Sequence, residues 1–167
     1  MPLQKLTIFL GLLFSTSAYS QGGENLCNTN EEAVFSFQLE NNNWISVCRE
    51  NSGRYLVYRL GNQHKIELQV PAVLDTSSWK RFTFSGYNRA GGRENAGMHF
   101  GYLSFKDKDV IYEVFELWNS QDSIEHCGLT VMKNYKIINK IIGKLESKSG
   151  NLVQLMTEPR IKQTEDN

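Results

Sequence analysis

Hydrophobic and polar positions alternate with a period of two along most of this chain, and clusters of turn-forming residues interrupt the alternation. Phe35, Phe37 and Leu39 alternate with Ser36 and Gln38; such a rhythm places one set of side chains on each face of a strand. Asn41-Asn42-Asn43 then offers a turn, since asparagine tolerates positive φ, and Trp44 to Cys48 returns as the hairpin partner. Tyr55 to Leu60 is bounded by Ser52-Gly53 and Gly61-Asn62, and Ile66, Leu68 and Val70 alternate until Pro71 ends the run. Further strands are predicted at Arg81 to Tyr87, Met98 to Phe105, Val110 to Trp118 and Leu129 to Met132, with Lys106-Asp107-Lys108-Asp109 as a polar turn.

Turn signals at intervals of about 8–15 residues predict an all-β fold, an antiparallel β-barrel or β-sandwich of about eight to ten short strands. The stretch after residue 135 reads two ways. Ile137, Ile138, Ile141, Ile142 and Leu145 share a helical face, yet Gly143 and the β-branched density oppose a helix. With Lys148-Ser149-Gly150-Asn151 as the turn and Leu152 to Leu155 as the return strand, a closing hairpin is the favoured reading. From Pro159 onward the chain is polar, and a frayed tail is expected over 159–167.

The first twenty residues change the picture. Lys5 precedes an apolar run from Leu6 to Phe14, and a small, polar stretch ends at Ala18-Tyr19-Ser20. This is the pattern of a secretory signal over 1–20, cleaved before Gln21, leaving a single β domain over 21–158. The apolar run is shorter than the roughly 20 residues a membrane span requires, and no later segment approaches that length. Without Lys5 the remaining chain holds 17 basic and 18 acidic residues, a formal charge of −1. Near-neutrality argues against nucleic acid as a partner, because phosphate binding rests on clustered positive charge. A periplasmic or secreted protein is expected, with an envelope or secreted protein as its partner.

In an oxidising compartment, three cysteines imply one disulfide and one leftover thiol. Of the three possible pairings, Cys27–Cys48 is favoured because it closes a short loop and anchors the N-terminal arm, with Cys127 left as a buried thiol. No cysteine pair has metal-ligand spacing, and neither metal nor cofactor is expected.

Candidate chemistry gathers in Ser85-Gly86-Tyr87-Asn88-Arg89-Ala90-Gly91-Gly92-Arg93-Glu94-Asn95-Ala96-Gly97. Four glycines free this backbone, while Tyr87, Arg89 and Arg93, with Glu94 beside them, supply planar hydrogen-bonding groups of the kind that anchor interfaces. The stretch lacks the Gly-x-x-x-x-Gly-Lys pattern of a phosphate loop. Trp79, in the turn-like Thr76 to Lys80, is the tryptophan most expected to be exposed and to serve as a binding platform. His64, His99 and His126 show no zinc-hydrolase spacing. His126 and Cys127 are neighbours and therefore point to opposite faces of a strand, and so do Glu113 and Glu116. Glu67 and Glu113 can pair only if the sheet brings their strands together. No nucleophile elbow is present, so a non-catalytic role is expected.

The blocks Val34-Phe35-Ser36-Phe37, Ile45-Ser46-Val47-Cys48, Tyr55 to Gly61, Lys65-Ile66-Glu67-Leu68 and Tyr102-Leu103-Ser104-Phe105 resemble small, secreted bacterial proteins of uncharacterised function. In architecture the chain is similar to the β-barrel inhibitors that bacteria export against lysozyme. Ser85-Gly86-Tyr87 resembles the Ser- and Tyr-containing loop that those inhibitors insert into the lysozyme cleft, though their double-cysteine framework is missing here. The resemblance implies a periplasmic binding protein of inhibitor or immunity type acting through the Tyr87–Gly97 loop. A carbohydrate- or envelope-binding module is the second expectation and a secreted hydrolase, built on Glu67, Glu113 or His99, the third.

Overall fold

The computed structural model describes residues 25–164, so the signal sequence expected over 1–20 lies outside the described residues. The strands are β1 (Glu31–Leu39), β2 (Trp44–Glu50), β3 (Leu56–Asn62), β4 (Lys65–Val70), β5 (Phe82–Arg89), β6 (Met98–Asp107), β7 (Val110–Asn119), β8 (Ile124–Lys133), β9 (Lys136–Gly150) and β10 (Lys162–Gln163). They form one sheet in the order β10-β5-β6-β7-β8-β9-β1-β2-β3-β4, curled into a half-barrel. Two meanders, β1–β4 and β5–β9, join where β9 pairs with β1. Neighbouring strands are antiparallel except β10, which lies parallel to β5 and makes the sheet mixed.

The alternation explains the core. Phe35, Phe37, Ile45, Val47, Phe82, Phe84, Leu103, Val114 and Leu129 are fully or almost fully buried in one cluster, each burial contributing about 1.5–3 kcal/mol. Gly143 of β9 makes room for this packing: a Cβ there would stand 2.2 Å from the Phe37 ring and 2.8 Å from the Cys127 sulfur. The glycine that argued against a helix is therefore a packing requirement of the sheet.

The open side of the half-barrel is filled by irregular segments. Leu152–Leu155 is a 3-10 turn whose Leu152 and Leu155 are buried. This corrects the expected closing hairpin: β9 is a strand, but it runs straight through Lys148-Ser149-Gly150, pairing first with β8 and then with β1. Gly150, at φ +75°, and Asn151, whose N–H donates to the Val34 carbonyl, end the strand instead of reversing it. The Asn151 side chain then accepts from the Val153 N–H and caps the 3-10 turn.

The tail expected to fray from Pro159 is docked as far as Thr164. Ile161 is buried, and the Thr164 N–H donates to the Phe84 carbonyl. Arg160 pairs with Glu158 through two hydrogen bonds of 2.6 and 2.7 Å and lies 3.8 Å over the Trp79 ring.

Cys27 and Cys48 are joined, pinning the N-terminal arm to β2 beside Tyr55, Val57 and Leu74. Cys127 is free and buried, and burial pushes its thiol up to about 12. Accordingly, a colorimetric thiol assay should find no reactive thiol in the native protein, one after denaturation, and three once reductant has been added and removed. A thiol reacting rapidly in the native protein would contradict this arrangement.

Candidate functional site

The loop of residues 90–97 joins β5 to β6 at one end of the half-barrel. The strand β5 continues to Arg89, further than the irregular stretch read from Ser85 onward allowed. Arg89 Nε donates to the Ala96 carbonyl at 3.2 Å, and the Gly92 N–H donates to the Asn95 carbonyl at 2.8 Å. The Gly97 carbonyl accepts from both the N–H and the hydroxyl of Ser120, each at 3.0 Å, so the loop base is held by the β7–β8 turn. Gly97 is required here, since a Cβ would sit 2.8 Å from the Trp118 ring. Gly91 to Gly97, with Ser120 and Gln121, line a shallow depression of about 430 Å³.

Tyr87, Arg89, Arg93 and Glu94 are brought together on this loop and its stem, and all four are exposed. Among the described residues, neither Arg89 nor Arg93 joins an ion pair. Both guanidinium charges therefore face solvent without a carboxylate to neutralise them.

Sequence reasoning missed two residues beside them. Tyr87 stacks on Phe100, its cross-strand neighbour, with ring centres 5.8 Å apart, and Phe100 meets Tyr102 at 5.7 Å. An aromatic row thus descends the outer sheet face from the loop. The signal was present, because Phe100, Tyr102 and Ser104 alternate with the inward Gly101, Leu103 and Phe105.

On the inner face below the loop, His99 stacks on Trp118 at 5.3 Å. Burial, followed by the charge of Lys148, lowers the affinity of His99 for a proton, against a smaller opposing effect of Glu125. Its Nε2 is buried without a hydrogen-bond partner. Glu116 is fully buried; its Oε1 accepts from the N–H groups of Leu152 (2.6 Å) and Val153 (3.2 Å). Lys148 Nζ stands 2.7 Å from Glu125 but 3.9 Å from Glu116 Oε2, beyond hydrogen-bond reach. Glu116 therefore ties β7 to the 3-10 turn that fills the core.

Burial raises the Glu116 carboxyl above its ordinary value of 4.5, against the lowering effects of Lys148 and the two backbone donors. The folded state consequently holds this proton more tightly than the unfolded state does. Its contribution to stability is complete below the unfolded pKa and is lost as pH rises through the folded one. Urea unfolding of parent and Glu116→Gln at pH 4 and pH 7 should show the balance shifting toward the variant at pH 7. A difference independent of pH would contradict the assignment.

The remaining candidates are dispersed. Trp79 is not a platform: it is fully buried in the turn Ser78–Arg81, with Nε1 3.2 Å from the carbonyls of both Gly53 and Arg54. Polar neighbours mark Thr76 to Lys80 as a turn without setting which way the ring points, and the open half-barrel supplies a cavity for it. Glu113 lies on the outer face, accepting from Ser104 Oγ at 3.1 Å, while Glu116 points inward. Glu67 sits on β4, separated from β7 by five strands. His126 is exposed and Cys127 buried, on opposite faces, and His64 is exposed. Ligand atoms of Cys27, Glu31 and Cys48 cluster within 4.8 Å, but the two sulfurs are bonded to each other and offer no thiolate. Among the described residues no helix is long and apolar enough to cross a membrane. Comparison with protein families, curated proteins and solved structures finds no match to this chain.

Proposed function

We propose that this chain is an exported, non-catalytic protein-binding module of inhibitor or immunity type that works by occlusion, inserting the loop of residues 90–97 into an acidic recess of an envelope or secreted protein. The observation that carries the reading is the pair Arg89 and Arg93, exposed and outside every ion pair among the described residues, on the stem and the tip of a loop tied down at its base. A loop already held in shape loses little entropy on binding, and its arginines offer planar, bidentate recognition of carboxylates. The Cys27–Cys48 disulfide supports an oxidising destination.

The aromatic row Tyr87–Phe100–Tyr102 favours a second reading, a carbohydrate-binding face, since stacked rings suit sugar surfaces. The two readings separate in one experiment. The immobilised parent chain and an Arg89→Ala/Arg93→Ala variant are exposed to envelope and secreted proteins, and in parallel to cell-wall glycans. A stoichiometric protein held by the parent, and about thirty-fold more weakly by the variant, is the expected result. Retention of glycan by both chains, with no protein captured, would favour the second reading.

A further inference from the structure

The end of the half-barrel opposite the loop carries a surface of different chemistry. Register sets the two ends: Met98 faces Asn119 and Asn119 faces Ile124 beside the loop, whereas Val110 faces Lys133 at the far end. There the β8–β9 hairpin ends level with the β6–β7 hairpin and extends past β1. On one side β9 pairs with β8 through Lys136 to Ile142. On the other it meets β1 only from Gly143 onward. Alternate N–H and C=O groups of Lys136 to Ile142 therefore point to an open edge.

This edge is apolar as well as open. Tyr135 (93%), Ile138 (60%), Ile137 (64%) and Ile142 (48%) are exposed in succession. The register shift between Val131 and Met132 skips Ile138, so a bulge sets Ile137 and Ile138 on the same outer face. Lys140 lies over Phe115 at 5.1 Å and Gly128 faces Ile142, continuing the apolar patch across the sheet. The charge is one-signed: residues 131–145 contain Lys133, Lys136, Lys140 and Lys144 and no acidic residue, in a chain of zero formal net charge.

Lysines on an edge normally deter pairing, but they deter it selectively. A second copy pairing on this edge would bring its own Lys136 and Lys140 and no acidic residue to neutralise those of the first. An apolar membrane interior would leave the open N–H and C=O groups unsatisfied. An extended peptide in which acidic and apolar residues take turns along each face meets all three features: it pairs the edge, neutralises the lysines and covers the isoleucines that share the outer face with Lys140.

We propose that the open edge of β9, Lys136 to Ile142, is a strand-addition site for an extended partner segment that carries acidic and apolar residues in turn along each of its faces. The site is separate from the loop and does not depend on the reading given above. The probe is a short peptide repeating Glu-Glu-Val-Val, which sets both residue types on each face, with a Lys-Lys-Val-Val repeat as control, added to the purified chain and to Lys136→Glu/Lys140→Glu. Amide hydrogen exchange and fluorescence anisotropy are the readouts, and urea unfolding verifies that the variant folds. The expected result is slowed exchange confined to Lys136–Ile142 with the glutamate peptide, binding at least about tenfold weaker in the variant, and none of the lysine peptide. Three results would overturn it: no slowed exchange at these amides, protection that grows with protein concentration without peptide, or binding to phosphatidylglycerol vesicles in preference to the peptide.

Discussion

Replacing Arg59 with methionine is expected to cost about 3–5 kcal/mol, the usual penalty for removing one partner of a buried ion pair. Arg59 is 3% exposed, and its guanidinium forks onto both oxygens of buried Glu31, at 2.5 and 2.9 Å. The same group reaches Gln69 on β4 and the Leu26 carbonyl in the N-terminal arm. One side chain thus joins β3, β1, β4 and the arm. Burial works to raise the Glu31 carboxyl, but hydrogen bonds from Arg59, the Asn28 N–H and Tyr55, with the charge of Arg59, outweigh it and hold the carboxyl below its ordinary value. The stability this depressed pKa confers is present above the unfolded pKa and is lost as pH falls through the folded one. The penalty of Arg59→Met should therefore shrink in acid. Urea unfolding at pH 7 and pH 3.5 checks both parts, and a loss below about 0.5 kcal/mol at pH 7, within the range of ordinary surface substitutions, would refute the first.

Trp79→Ala should cost a comparable amount, about 3–5 kcal/mol, by emptying a site that the surrounding strands cannot close. The ring is fully buried in the main core cluster, and its N–H satisfies carbonyls in the β2–β3 turn. Arg160 covers its outer surface, so the substitution should also loosen the docked tail. Trp79→Phe keeps most of the packing and loses only the N–H, for a smaller cost of about 1 kcal/mol. Thermal unfolding of both variants, with amide exchange at Lys162 to Thr164, measures the two effects. Equal stability of Trp79→Ala and parent would return Trp79 to the list of surface residues.

The residues that were legible and those that were not differ in a physical way. Strands showed in the sequence because Phe35-Ser36-Phe37 or Ile66-Glu67-Leu68 must send alternate residues to opposite faces wherever the sheet lies. The turn at Asn41 to Asn43 was equally local, and Asn42 takes φ +64°. Trp79, Leu152 and Leu155 fill the open side of the half-barrel, and a plug is defined by the hole it enters, which no local pattern describes. Glu116 was half legible. Alternation separated it from Glu113, but both have apolar neighbours on their own face, and only the arrival of the Leu152 and Val153 N–H groups makes the inward place tolerable for one of them. The loop carrying Arg93 and Glu94 was readable from glycine density and cations, whereas Tyr87 and Arg89, read as part of the same irregular stretch, belong to β5. Its aromatic flank depended on the register of β5 against β6.

The central claim is that the loop of residues 90–97 is a protein-recognition surface, and site-specific photocrosslinking tests it most directly. Benzoylphenylalanine is placed at Ala90 or Glu94, and as a control at Val73, which is 69% exposed in the connection after β4. Each chain is irradiated among envelope and secreted proteins. The account predicts one discrete adduct from the loop positions, absent from Val73 and suppressed in the Arg89→Ala/Arg93→Ala background. Equal labelling from Val73, or no adduct from either loop position, would contradict it.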